Sequence, residues 1–92
     1  MIRGFRCVDT QDLFESGKSR RFSSIATVAA RKLVQLDNAI ELRDLASPPG
    51  NRLEALRGDR AGQYSVRING QFRLCFIWTP QGPEGVEIAD YH

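Results

Sequence analysis

The last three residues of the sequence are Asp90-Tyr91-His92: a carboxylate, a phenol and the only histidine of the chain. Histidine titrates near neutral pH, and with a carboxylate beside it the two can act as general base and general acid. The same three residues would also suit an unremarkable frayed terminus. The cations are the second signal. Between Gly50 and Arg73 there are five arginines (Arg52, Arg57, Arg60, Arg67, Arg73) against Glu54 and Asp59, whereas Leu74 to His92 holds Glu84, Glu87 and Asp90 and no lysine or arginine. A basic stretch made only of arginine suits phosphate, because the planar guanidinium donates two parallel hydrogen bonds to it. A solvated basic surface would have the same composition.

Together these residue types fit RNA cleavage without a metal. A base must take the proton from the 2′-hydroxyl, a cation must stabilise the charge growing on the phosphate, and an acid must protonate the departing 5′-oxygen. Histidine and a carboxylate fill the first and last roles. Arginines fill the second electrostatically. Tyr91 could stack on a base, the usual grip on single-stranded RNA. No metal or other cofactor is expected. Two cysteines and one histidine are too few for a zinc site, and Cys7 and Cys75, each inside an apolar run, read as reduced, buried packing residues.

The elements that must hold these groups follow from the apolar periods. Ile2 to Val8 alternates loosely and reads as a first strand. Asp9 or Thr10 would cap a short helix carrying Leu13 and Phe14 and stopped by Gly17. Ser23 or Ser24 would cap a longer helix whose apolar face is Ile25, Val28, Ala29, Leu33, Leu36 and Ile40, with Leu42 and Leu45 extending the pattern to Ser47-Pro48-Pro49-Gly50. The period then changes to two. Leu53 to Leu56 reads as a short strand. Tyr64, Val66 and Ile68 form the apolar side of a second, and Phe72, Leu74, Phe76 and Trp78 that of a third. A last strand starts at Val86 after Pro80-Gln81-Gly82-Pro83. The expected fold class is α+β: N-terminal helices packed on one face of a small antiparallel sheet, in a single domain over 1–92.

The register of the central hairpin can be argued from burial. A two-residue Asn69-Gly70 loop would set Arg67 opposite Phe72 and Val66 opposite Arg73, mixing charge and apolar groups on each face. A three-residue loop, Asn69-Gly70-Gln71, pairs Ile68 with Phe72, Val66 with Leu74 and Tyr64 with Phe76. Each large apolar side chain so buried contributes roughly 1.5–3 kcal/mol, so the second register is favoured. It also sets Arg67 opposite Arg73, a mildly destabilising pair. A fold does not need two facing arginines, whereas an anion site does. If the last strand lies near Arg73, then Asp90, His92, Arg67 and Arg73 gather around one phosphate.

The chain has 92 residues, 41% of them hydrophobic and 26% charged, with a net charge of +2. That is enough for one core and too little for two domains. No apolar run reaches the roughly 18 residues of a membrane span, and no apolar segment follows the first residues as in a signal peptide. The expected location is the cytoplasm, with no membrane partner.

The segment Arg52-Leu53-Glu54-Ala55-Leu56-Arg57-Gly58-Asp59-Arg60-Ala61-Gly62-Gln63-Tyr64-Ser65-Val66-Arg67, the strand Gln71-Phe72-Arg73-Leu74-Cys75-Phe76 and the closing Val86-Glu87-Ile88-Ala89-Asp90-Tyr91-His92 resemble HigB-type toxins of the RelE/ParE superfamily. Ile2-Arg3-Gly4-Phe5, Leu13-Phe14 and Gly17 extend the resemblance over essentially the whole chain. It implies a RelE-like, microbial-ribonuclease-like fold and a ribosome-dependent endoribonuclease that cuts translated mRNA in the decoding site of the small subunit. It implies a HigA-like helix-turn-helix antitoxin as partner, with operator DNA reached only through that antitoxin. By the same resemblance Arg73 would sit at the scissile phosphate. Asp90 and His92 would be acid–base residues, with Tyr91 positioning or stacking. Arg57 and Arg67 would lie around the RNA. Arg20, Arg21 and Arg60 would be either ribosome contacts or solvated charges. The chain departs from the pattern at Glu54, where many relatives carry histidine. A carboxylate there could be the base, or it could pair with an arginine and be weakened as one. The alternative function is a non-catalytic inhibitor that blocks the ribosome, or gyrase, by binding.

Overall fold

The computed structural model describes residues 1–91; His92 lies outside the described residues. Two helices, α1 (Val8–Ser16) and α2 (Ala26–Asn38), precede a four-stranded antiparallel sheet. Its strands are β1 (Glu54–Ala55), β2 (Tyr64–Arg67), β3 (Phe72–Thr79) and β4 (Gly82–Asp90), in the spatial order β1-β2-β3-β4. This is the expected α+β arrangement. Leu13 of α1 and Ala29, Leu33 and Leu36 of α2 pack with Val66, Leu74, Phe76, Val86 and Ile88 in one buried cluster. The helices therefore cover one face of the sheet only.

The β2–β3 register is the three-residue one: Tyr64 pairs with Phe76, Val66 with Leu74 and Arg67 with Arg73. Asn69 explains why the loop takes three residues. Its Oδ1 accepts hydrogen bonds from the backbone N–H of Gln71 (2.8 Å) and of Phe72 (2.7 Å), closing the turn locally.

Several expected boundaries move. Ile2 to Val8 is not a strand. Only Phe5 bridges Val86, in parallel, and Arg3 N–H to Pro83 O (2.7 Å) and Arg6 N–H to Val86 O (2.9 Å) tie the segment along the free edge of β4. Helix α1 begins at Val8, with Cys7 in the cap position and no side-chain cap. Asp9 and Thr10 lie inside the first turn, and the Thr10 hydroxyl instead accepts the Ile88 N–H of β4 at 3.0 Å. Gly17 ends α1 as expected, in the left-handed conformation.

Ser23 and Ser24 fall in a 3₁₀ turn, Ser23–Ile25, and cap nothing. Helix α2 stops at Asn38, where Ala39 turns extended. Ile40 is consequently not on the buried face but 86% exposed. Leu42 and Leu45 belong to a separate 3₁₀ segment, Leu42–Ala46, closed by reciprocal hydrogen bonds between Glu41 and Asp44. The last strand starts at Gly82 rather than Val86. Thr79 Oγ1 donates to Gly82 O (2.7 Å) and accepts from Gln81 N–H (3.2 Å), so the turn is tight and Pro83 already pairs with Trp78. Gly82 has φ +127°, and a side chain there would strike the Met1 carbonyl. Cys75 is buried and free as expected, whereas free Cys7 is only half-buried.

Candidate active site on the uncovered face of the sheet

On the face away from the helices, the register builds a polar row. Glu54 pairs with Ser65, Ser65 with Cys75 and Cys75 with Glu87, crossing all four strands. The next row holds Arg67, Arg73 and Ala89. Arg73, on the central strand β3, leans back across β2 toward β1. Its Nε donates to Ser65 Oγ at 2.7 Å, and its Nη2 donates to the Arg52 carbonyl at 2.8 Å and lies 3.4 Å from Glu54 Oε1. Its side chain is only 13% exposed. A guanidinium so held is preorganised: lining up with an anion requires little reorientation.

Arg52 owes its part to its backbone. It has φ 46° and ψ 54°, the one non-glycine residue at positive φ among the described residues. That sparsely populated conformation follows a 3₁₀ turn, Pro49–Asn51, and turns the Arg52 carbonyl toward Arg73. Asn51 anchors the turn. It is fully buried; its amide donates to Gln35 Oε1 (3.0 Å) and to the Leu45 carbonyl (3.0 Å), and its Oδ1 accepts from Lys32 Nζ. Burial, and then the neighbouring Arg31, hold the Lys32 ammonium below its ordinary pKa.

Toward β4 the same face carries a second ion pair. Arg60 donates to Glu87 Oε1 at 2.7 Å and to Gln63 Oε1 at 3.1 Å. The Glu87 bond, above all, raises the Arg60 pKa. Tyr91 folds over this region, its Oη 3.8 Å from Cys75 Sγ. Burial is the main reason both groups keep their protons: the Cys75 thiol is pushed above its ordinary value, and so is the Tyr91 phenol. Cys75 is thus an inert packing thiol under the site rather than a nucleophile.

Asp90 and Tyr91 are held to the hairpin loop. Gln71 O accepts the Tyr91 N–H at 2.7 Å, and Gln71 Nε2 donates to Asp90 Oδ2 at 3.0 Å. Arg57, Asp59, Arg60, Asp90 and Tyr91 line an open cleft of about 450 Å³.

The structure therefore brings Arg73, Glu54 and Arg67 onto one face, with Tyr91 over Cys75 on the same face. Asp90 pairs with Phe72, one residue past the Arg73–Ala89 pair, and lines the cleft with Arg57, Arg60 and Tyr91. His92 lies outside the described residues. Glu54 is paired with Arg73, and Arg60 with Glu87. Arg20 and Arg21 are elsewhere, on the loop joining the two helices. Arg21 ion-pairs with Asp9 at 3.2 Å and lies 4.9 Å over the Phe22 ring. Sequence reasoning did not single out Ser65, Arg52 as a backbone acceptor, Gln71 or Glu87. Ser65 was within reach of the register argument, which places it on the face of Arg73. The left-handed turn at Arg52 has no glycine or asparagine to announce it.

Among the described residues, no helix is long and apolar enough to cross a membrane, and no three His, Cys, Asp or Glu side chains group as metal ligands.

Residues 4–92 match the family model described as the RelE-like toxin of type II toxin–antitoxin system HigB. Toxin HigB-1 of Vibrio cholerae serotype O1 is 41% identical over 83 residues, covering 88% of this chain and 83% of that protein. An uncharacterized protein of Haemophilus influenzae is 41% identical over 54 residues, 59% of this chain and 54% of that protein. Among solved structures, the YoeB-YefM complex from Staphylococcus aureus aligns with TM-score 0.62 at 19% identity, over 100% of this chain and 98% of that one. The YoeB/ParE toxin from Agrobacterium tumefaciens aligns with TM-score 0.56 at 19% identity, over 99% and 98%. These two likenesses show a shared fold.

Proposed function

Since the chain belongs to the HigB-like toxin family, RelE-like toxins of type II toxin–antitoxin systems, we propose that it is a ribosome-dependent endoribonuclease that cuts translated mRNA in the decoding site. The observation that carries this reading is Arg73, a nearly buried guanidinium held by neutral oxygens on a sheet face that no helix covers. Two of its donors are fixed on Ser65 and Arg52. The end-on edge is left to meet the non-bridging oxygens of a phosphate, and Glu54 Oε1 lies 3.4 Å from Nη2.

In the reaction, a base removes the proton of the 2′-hydroxyl and that oxygen attacks the adjacent phosphorus. The P–O5′ bond breaks, the 5′-oxygen leaves with a proton from the acid, and a 2′,3′-cyclic phosphate remains. Arg73 stabilises the charge on the pentacoordinate phosphorus. Glu54, Asp90 and His92 are the proton-transfer groups. Glu54 is within reach of the same phosphate as Arg73, which supports it as the base; the Arg73 ion pair orients it and must yield when the phosphate enters. Tyr91 offers a half-exposed ring for stacking, and Arg57 and Arg67 hold flanking phosphates. Arg60, engaged with Glu87, supports the cleft wall. The few catalytic groups explain dependence on the ribosome, which supplies substrate geometry. The neutralising partner is a HigA-like helix-turn-helix antitoxin, through which operator DNA is reached, and the site of action is the cytoplasm.

Purified ribosomes, a defined mRNA and initiator tRNA test this, with product ends mapped by primer extension. Discrete cuts inside codons are expected, absent without ribosomes and absent for the variant lacking His92. Stalled translation with intact mRNA for both proteins would replace this reading with a binding-only inhibitor.

A further inference from the structure

The Arg73 guanidinium is held by groups with no other evident task, and we propose that Ser65 and the left-handed turn at Arg52 are positioning elements that fix which edge of Arg73 meets the RNA. The inference rests on the reading above and deepens it. A guanidinium has five N–H donors in a planar fork. Nε–H and one Nη2–H point the same way, along the side edge. Ser65 Oγ takes the first at 2.7 Å and the Arg52 carbonyl takes Nη2 at 2.8 Å. With the side edge filled by neutral acceptors, the full charge is retained and only the end-on edge is presented outward.

Both acceptors are built in from the core. Ser65 is fully buried on β2, its side chain on the face of Arg73. The Arg52 carbonyl is aimed by a backbone conformation that few non-glycine residues adopt. That turn is tied to α2 through the buried Asn51, which bonds Gln35 and Lys32. The path from the helical layer to Arg73 therefore runs α2, Asn51, Arg52, Arg73. Facing Arg67 sets a like charge opposite Arg73, so without these acceptors the two guanidiniums would turn apart. The Arg52 side chain itself is exposed, so the position requires a conformation rather than an arginine.

Two readouts test the proposal. The first is independent of cleavage: hydrogen exchange of the Arg73 Nε–H by ¹⁵N NMR, assigned through its loss in Arg73→Lys. It is expected to be protected in the unsubstituted protein and in Arg52→Gly, which accepts positive φ. The Nε–H is expected to exchange freely in Ser65→Ala, and the Nη2 protons, protected in the unsubstituted protein and in Arg52→Gly, are expected to exchange freely in Arg52→Val, whose branched side chain disfavours that conformation. The second is kcat and KM in the ribosomal cleavage assay. Ser65→Ala and Arg52→Val are expected to lower kcat by about 10- to 100-fold with KM nearly unchanged, and Arg52→Gly to keep kcat. Thermal melts confirm that each variant is folded; Arg52→Gly and Arg52→Val share the loss of the arginine, so their difference isolates the backbone. An unprotected Nε–H in the unsubstituted protein, equal behaviour of the two Arg52 variants, or full kcat in Ser65→Ala overturns the proposal. If protection follows the expected pattern while the unsubstituted protein cuts no mRNA, the positioning stands and the function proposed above falls.

Discussion

The two faces of one sheet are buried by different physics. On the helix side, Val66, Leu74, Phe76, Val86 and Ile88 are buried because apolar surface leaves water against α1 and α2. On the other side, Ser65 and Cys75 are just as buried and Arg73 and Glu87 nearly so, although no helix covers them. There the side chains bury one another: Arg73 lies over Ser65, Arg60 over Glu87, Tyr91 over Cys75. The first face depends on shape and volume. The second depends on hydrogen-bond geometry, and every buried side-chain nitrogen and oxygen among the described residues has a partner. A fold can tolerate a repacked apolar face; a preorganised polar one fails when an acceptor moves.

Substitutions at adjacent positions of β3 probe that contrast most strongly. Phe76→Ala or Leu74→Ala is expected to cost about 2–5 kcal/mol of stability, a large part of what a small domain has. Cys75→Ala, one residue away but on the polar face, is expected to cost no more than about 1 kcal/mol. Chemical denaturation midpoints compare the three. Similar losses at all three positions would mean that the faces do not differ in this way.

A smaller effect is expected in alkaline solution, and only from the polar face. Folding raises the Cys75 thiol above its ordinary 9.0 and the Tyr91 phenol above 10.0, chiefly by burial. The unfolded chain therefore loses these protons first as pH rises. The resulting stability is fully present below about pH 9 and declines as pH climbs through the raised folded-state values. Melting temperatures from pH 8 to 11 should fall, and Cys75→Ala should flatten the fall. A profile identical in the two proteins would remove Cys75 from the account.

The same contrast explains what could be read from the residues. Alternating apolar positions revealed the helix-covered face, and burial alone chose the hairpin loop and so the Arg67–Arg73 pair. The local details at element ends were less legible. Thr10 looks like a helix cap, but its hydroxyl serves β4; Ile40 fits the helical spacing, but α2 has already ended. On the polar face, the register put Arg73 and Ser65 on one side. It could not show that Arg73 leans across β2 to reach Glu54 and the Arg52 carbonyl, because that depends on a left-handed residue with no sequence marker. The resemblance to HigB-type toxins supplied candidate roles for residues that spacing alone left open.

The most direct test of the polar face as a reaction centre measures ribosome binding and mRNA cleavage in the same sample for Arg73→Ala. Cleavage is expected to fall by about 10²- to 10³-fold, the usual loss when a group that stabilises transition-state charge is removed. Ribosome binding should change by only a few fold, since Arg57 and Arg67 remain. A parallel loss of binding and cleavage, or full cleavage by the variant, would contradict the account.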